Sequence, residues 1–472
     1  MERPDVLDRG EAARLIPVTS DSNREARAAS IFLATLMSVP PFAREVLSTV
    51  EQRVGARTKI RCFTEIRFKN DDNVNSRPDG LIAIDSGQGR SWTCLVEAKI
   101  GNAELSAEQV EAYLQIARAN DVDAVLTISN QFVALPTHSP VKVSRTLLRN
   151  VQLYHWSWIY LKTAASLLLS ADELESAEQK YILSEFHRYF DHDSVGVNRF
   201  DRMNSEWKEI VGQVIAKATL NRSSVIVENT VGAWHQEARD LCLLLTEKVR
   251  HPVKLRLSRA HANDPNERLR DDCERLASDC ELACALEVPD AAAPMIVCAN
   301  LRGRSISVSM ELDAPKDKQR PLSRLNWLLR QLSKARPDDI YIRCNWPGRA
   351  PSTQNSLADV RNRPEILFAS HENAAPVSFE VLLVRDIASK FSGARTFIEQ
   401  LEEAVPYFYA EVGEHLRTYI PPPPRLQTAK DEAEAREPFV NKQDAPVILG
   451  PVQNVGEMTR PLPSTEEDPN PL

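Results

Sequence analysis

Two kinds of hydrophobic spacing alternate over the first 170 residues and predict a helix, three strands, a helix and a strand in that order. Ile31, Phe32, Ala34, Leu36 and Met37 recur at helical spacing up to Ser38, where Pro40-Pro41 interrupts them. Ser22 precedes Glu25 by three residues, the spacing of a capping box, so the helix is expected to open at Ser22. A second helical piece covers residues 42–52. Over residues 59–69 the period becomes two. Ile60, Cys62, Thr64, Ile66 and Phe68 fall on one face of a predicted strand, and Lys59, Arg61, Phe63, Glu65 and Arg67 on the other. Residues 81–84 and 92–100 flank a Ser86-Gly87-Gln88-Gly89 turn and read as a hairpin. Val110, Tyr113, Leu114 and Ala117 form the stripe of a helix starting at Ser106, and Ala124–Ser129 is a nearly continuous apolar run, the pattern of a strand covered on both faces. A strand at 151–156 and a helix at 159–169 complete the set.

Charge interrupts this pattern in one strand, Cys94-Leu95-Val96-Glu97-Ala98-Lys99-Ile100. Alternation places Glu97 and Lys99 on the same face. A carboxylate and an ammonium in a buried strand carry a desolvation cost that partners, a metal or water must offset. An acid two residues from a lysine, joined by a second acid from a neighbouring strand, builds a divalent metal site. Asp79, in Arg77-Pro78-Asp79-Gly80, is the candidate second acid.

Asp79 in its Pro-Asp-Gly context, followed eighteen residues later by Glu97-Ala98-Lys99, resembles the bipartite signature of the PD-(D/E)xK nuclease superfamily. Gln109-Val110-Glu111-Ala112-Tyr113 resembles the Gln-x-x-x-Tyr helix motif of its RecB-like branch. The resemblance covers residues 20–165 and implies an α/β fold with a restriction-endonuclease-like core, a mixed central sheet flanked by helices. It implies phosphodiester hydrolysis, in DNA, with Mg²⁺ as cofactor and Mn²⁺ as a substitute, in phage defence, restriction or repair. Asp79 and Glu97 would hold the metal together with the Ala98 carbonyl. Lys99 would contact the attacking water or the scissile phosphate, and Gln109 and Tyr113 would line the site. Acids on the first helix and on the preceding strand approach the metal in parts of the superfamily, which makes Glu25 and Glu65 candidate further ligands. Capping alone also accounts for Glu25, and a cross-strand partner for Arg or Lys accounts for Glu65. A core tyrosine beside a surface glutamine is the plainer account of Tyr113 and Gln109. The other class of function is a catalytically inactive nuclease-like fold that binds nucleic acid or protein.

A chain of 472 residues exceeds one ordinary domain. Residues 1–20 lack a period and are expected to form a flexible arm, 21–200 the nuclease-like domain, and 201–420 a second α/β domain of unassigned role. Within the latter the pattern predicts helices at 236–249, 265–286, 321–335 and 394–416, and strands at 253–257, 295–300, 305–312, 339–344 and 377–384. Arg320, Arg324 and Gln331 would share a helix face, where phosphate contact competes with plain solvation. Pro421-Pro422-Pro423-Pro424 opens a Pro-rich acidic remainder, residues 421–472, expected to be a disordered tail.

The net charge of −8 counts only mildly against a nucleic-acid enzyme, because the tail alone carries 5 basic and 9 acidic groups and so supplies half of it. Eight cysteines include no Cys-x-x-Cys pair. Cys273, Cys280 and Cys284 fall at helical spacing and read as buried thiols on one face before they read as a zinc site. The charged opening residues do not resemble a signal peptide, and no apolar run has the length of a membrane span. A cytoplasmic location without membrane contact is expected, with a protein partner compatible with the large second part.

Overall fold

The patterned first part of the chain folds into a six-stranded sheet in a computed structural model, which describes residues 4–17, 23–69, 77–87, 91–171, 174–371 and 374–421. Its elements are β1 (Leu7–Ala12), α1 (Arg24–Ser38), α2 (Pro40–Ser48), β2 (Lys59–Phe68), β3 (Gly80–Asp85), β4 (Ser91–Ala98), α3 (Ala107–Ala119), β5 (Ala124–Ser129), β6 (Gln152–Ser157), α4 (Trp158–Ser170) and α5 (Ala177–Asp191). The strands lie in sequence order. β1 to β4 pair antiparallel, whereas β4, β5 and β6 run parallel, so the sheet is mixed. Helix α3 covers one face, against Leu81, Leu95 and Val125. Helices α1, α2, α4 and α5 cover the other, where Trp158 stacks on Phe190 and meets Phe32 edge-on. Every residue of β5 is buried between these layers, which explains its unbroken apolar run.

Three features of this half differ from expectation. The arm contains a strand, β1, whose only fully buried residue is Leu7; an edge strand with so little apolar content shows no period. Strand β2 does not alternate throughout. The step from Arg9 to Glu11 on β1 is matched by the longer step from Arg67 to Thr64 on β2, a bulge at Glu65, whose φ is +51°. The extra residue moves Ile66 and Phe68 to the α3 face with Phe63, while Cys62 stays opposite. Ser22 lies outside the described residues. Asn23 is the N-cap of α1 and makes no side-chain capping bond, so Glu25 is not at the capping-box position.

The second half contributes α6 (Trp207–Ile215), α7 (Val225–Val249), β7 (Lys254–Leu255), α8 (Arg259–Asn263), α9 (Pro265–Asp279), β8 (Glu281–Glu287), β9 (Met295–Asn300), β10 (Ser305–Asp313), α10 (Pro321–Gln331), β11 (Ile340–Asn345), β12 (Thr353–Ser356), α11 (Leu357–Asn362), β13 (Ser378–Asp386), α12 (Ala388–Phe391) and α13 (Ala394–Glu411). Its seven strands form an antiparallel sheet in the order β12-β11-β13-β10-β9-β8-β7. Along β10, Ile306, Val308, Met310 and Leu312 enter the core shared with α7, α9 and α13, while Ser305, Ser307 and Glu311 take the other face. The long helix expected at 265–286 is two elements. Cys280 caps α9 with a left-handed φ of +58°, and the chain turns into β8. Cys273, Cys280 and Cys284 therefore share no helix face, and all eight thiols are free. Arg324 donates to the carbonyls of Lys318 and Pro376, and Gln331 accepts from the Arg417 N–H, so these groups serve the fold rather than a phosphate.

The described residues up to 420 make up one compact unit. The two sheets meet through α4 and α7, where Ile159 and Phe132 pack on Leu243. Arg199, in the connecting segment, bridges Asp240 at 2.8 Å and Glu247 at 2.5 Å, and Thr163 of α4 donates to Glu247 at 3.0 Å. Glu237, on the same helix, is fully buried with neither carboxylate oxygen hydrogen-bonded. Burial, reinforced by Asp240 and Glu402, pushes it well above the carboxylate range and favours its neutral form. The expected tail, from residue 422 onward, lies outside the described residues. Among the described residues no single helix is long and apolar enough to cross a membrane; α1 and α2 reach that length only together, across a bend of 108°.

Candidate active site

Glu97 ends up buried because its strand is central in the sheet, with β3 on one side and β5 on the other. It is 3% exposed, on the face covered by α3. Its Oε1 accepts from Lys99 Nζ at 2.8 Å and from Gln109 Nε2 at 2.7 Å. Its Oε2 is buried without a hydrogen-bond partner. Gln109 also donates to the Tyr113 hydroxyl at 3.1 Å, as residues four apart on a helix can, and that hydroxyl donates to the Arg77 carbonyl at 3.2 Å. Ser106 starts α3 by accepting from the Gln109 N–H, which places both residues over the strand end.

Asp79 reaches the same place from the start of β3. Its Oδ2 accepts the Ala98 N–H at 2.8 Å, so the aspartate is held by the backbone between Glu97 and Lys99. Gly80 is required beside it: a Cβ there would lie 2.9 Å from the Phe63 carbonyl oxygen and run into Leu33 of α1. Glu25 approaches from α1, its Oε2 3.5 Å from Lys99 Nζ. Glu65 stands apart on the bulge, exposed, and shares a cavity of about 450 Å³ with Asp79, Arg77 and Arg14. The structure thus brings together Asp79, Glu97, Lys99, Gln109, Tyr113 and Glu25. Among the described residues no hydrogen bond or ion pair ties Glu65 to them.

Electrostatics follow from this packing. Burial and the neighbouring Glu97 push Asp79 up to about 8, although the Ala98 N–H and Lys99 pull the other way. Burial also raises Glu97, with Lys99 offsetting part of the rise. Burial opposes the charge on Lys99, but Glu97, Glu25 and Asp79 outweigh it and the ammonium is held above its usual range. Tyr113 is raised by burial and by Glu97 and stays protonated, as its role as donor to Arg77 requires. Two carboxylates that burial and neighbouring acids drive toward protonation, Asp79 through Glu97 and Glu97 through Glu25, one of them with an unpartnered oxygen, fit a hard divalent cation. Among the described residues no group of three or more His, Cys, Asp or Glu side chains is arranged to hold a metal ion.

Several residues around the site were not singled out by sequence reasoning. Trp158 donates its indole N–H to the Lys99 carbonyl at 2.8 Å. Asn130 donates to the carbonyls of Gly101 at 3.0 Å and Gly196 at 2.8 Å, and the Gly101 N–H donates to the Gly196 carbonyl at 2.9 Å. The connecting segment is thereby pinned to the chain just beyond Lys99. Thr127 and His155 stand in register with Glu97 across β5 and β6. His155 has both ring nitrogens engaged, with Thr127 Oγ1 and the Gln131 carbonyl, and burial holds it down at about 4, so it is a neutral part of the core. A polar residue just past the end of a parallel strand, as Asn130 is, was the available signal. Compared with known proteins, the chain matches no family model, no curated protein and no solved structure.

Proposed function

We propose that the chain is a metal-dependent nuclease of the PD-(D/E)xK type, that its first sheet is a restriction-endonuclease-like core, and that its substrate is DNA. The observation that carries this reading is the half-satisfied Glu97 carboxylate, buried, bound at Oε1 and unpartnered at Oε2, beside the second acid Asp79. Asp79 and Glu97 would hold Mg²⁺, or Mn²⁺ in its place, with the Ala98 carbonyl as a further oxygen. A cation held there would supply positive charge for the phosphate and would make a water more acidic.

The chain's own residues do the rest. Lys99, kept charged by its acidic neighbours, stabilises charge developing on the attacked phosphate. Gln109 fixes the Glu97 carboxylate, and Tyr113, through the Arg77 carbonyl, fixes the segment that delivers Asp79. Arg14 and Arg77, exposed on the walls of the Asp79 cavity, offer contacts to backbone phosphates. A second reading, an inactive fold that binds nucleic acid or protein, draws support from the ion pairs that Lys99 already makes with Glu97 and Glu25.

Incubation with linear, supercoiled and single-stranded DNA in Mg²⁺, Mn²⁺ or EDTA tests the proposal. Cleavage that survives EDTA defeats a metal-dependent mechanism. Absence of cleavage on every substrate moves the assignment to the binding module.

A further inference from the structure

A second cavity, of about 1480 Å³, lies between the loop after β5 and helices α7 and α9. Its lining mixes acids with exposed Lys142, Arg145 and Arg202, and the side chains able to carry positive charge that are buried or half-buried there come from three elements: His138 from the loop, His235 from α7 and Arg268 from α9. Arg268 is 5% exposed, and its one ion-pair partner among the described residues is Asp272, at 3.6 Å. That carboxylate is shared. His235 Nε2 donates to Asp272 Oδ2 at 2.7 Å, and Arg275 approaches Oδ1 at 3.5 Å. One carboxylate therefore answers two guanidinium groups and an imidazole, and a buried cation without a full counter-charge is unfavourable. Burial pulls Arg268 below the usual arginine range, and Asp272 offsets only part of that.

We propose that this cavity binds a phosphate group carried on an organic body, with Arg268 as the anchor, His138 and His235 as further donors, and Phe132, Phe200 and Leu269 against the body. A phosphate offers donors arriving from three elements one oxygen each and up to two negative charges, more than a carboxylate's two oxygens and single charge. His138 Nε2 donates to the Ala262 carbonyl at 2.9 Å, and His235 Nε2 is taken by Asp272, so each ring has only Nδ1 left for a ligand. Nδ1 donates once the ring is protonated. The charged groups facing His235 are Asp272, Arg268 and His261, and those facing His138 are Arg268 and Asp264. Burial holds both rings below the usual imidazole range, His235 at about 4, so both are neutral without ligand. Donation from either Nδ1 therefore couples phosphate binding to proton uptake, and that contribution weakens as pH rises.

Titration calorimetry on the full chain in EDTA, with inorganic phosphate, adenosine monophosphate and acetate as probes, tests this in two buffers of different ionisation heat. The nucleotide should bind more tightly than phosphate, take up protons, and bind at least about tenfold more weakly to Arg268→Met, since charge-assisted hydrogen bonds are lost. The Met side chain keeps the length and suits a buried position, and a thermal melt checks the fold. His138→Gln should weaken binding and reduce proton uptake, and it decides alone if Arg268→Met does not fold. A single strand of about eight nucleotides identifies the carrier: a gain in affinity over the mononucleotide, lost in the same variants, points to a nucleic-acid backbone, and no gain points to a free nucleotide. Unchanged affinity in the folded variants, no binding of either phosphate probe to the wild type, or acetate binding as tightly as phosphate would overturn the proposal.

Discussion

Glu97 on β4 and Lys99, one residue past the end of that strand, meet through Oε1 and Nζ at 2.8 Å, while Oε2 of the same carboxylate has no hydrogen-bond partner. A purely structural ion pair has no use for that unpartnered oxygen, whereas a metal ligand does. The two alternatives respond differently to substitution.

Glu97→Gln keeps the volume and removes the ligand charge. The rise in melting temperature that Mg²⁺ gives the wild type should shrink in this variant, because ligand-linked stability follows affinity for the folded state. Lys99→Ala should keep the Mg²⁺ effect yet lose cleavage by about 10²–10³-fold, the cost of one transition-state donor. Equal destabilisation by both changes, of about 3–5 kcal/mol, with no effect of Mg²⁺ in calorimetry, would identify a buried ion pair and end the catalytic assignment.

Tyr113→Phe removes the bond to the Arg77 carbonyl and leaves the ring in its apolar seat. The expected stability loss is about 1 kcal/mol. Cleavage should fall further than stability accounts for, because the segment carrying Asp79 loses a tether. Denaturant melts run beside initial rates separate the two, and a rate equal to the wild type's would show that the tether has no part in the chemistry.

Gly196 has a φ of +83°, and a Cβ there would sit 3.1 Å from the Gly101 Cα. Gly196→Ala should cost about 2 kcal/mol, from backbone strain and the clash together. Gly87 is the control: its φ is +78°, but nothing lies within 4 Å of an added Cβ, so Gly87→Ala should cost about 1 kcal/mol and spare cleavage. If both variants melt alike, the contact beyond Lys99 carries no strain of its own.

Glu402 packs beside the Arg199 bridge, and burial followed by Asp240 pushes it up to about 7 from 4.5. A carboxyl whose folded value is raised stabilises fully below its unfolded value, and that contribution is lost as pH rises through about 7. Glu402→Gln cannot ionise, so its stability should decline less between about pH 5 and pH 8 and exceed the wild type's at pH 8 by about 1 kcal/mol after allowance for solvent screening. Parallel pH profiles of the two proteins would discredit the assignment.

Glu97 and Lys99 were legible because charge in an apolar strand is conspicuous, and Gln109 and Tyr113 because helical spacing puts them on one face. The general α/β character and the order of elements from α1 to α4 were legible from the spacing of apolar residues, but β1 was not, since an edge strand with one buried residue shows no period. The bulge at Glu65 was not, since one extra residue shifts which side chains face the core without changing the composition. Nor was the break at Cys280, where helical spacing continues across a left-handed cap into β8. Trp158 and Asn130 act on backbone carbonyls distant in sequence, and spacing along one element cannot show such contacts.

The glycine-to-glycine contact limits how this chain can diverge. A larger residue at Gly196 would need space held by the Gly101 backbone, and that backbone cannot yield because Asn130 ties both carbonyls. Gly101 is freer, since nothing lies within 4 Å of a Cβ added there. Distant descendants should therefore keep Gly196 even where the surrounding surface has been rewritten, which makes it, with Asn130, a search key for relatives that does not depend on the acidic residues at all.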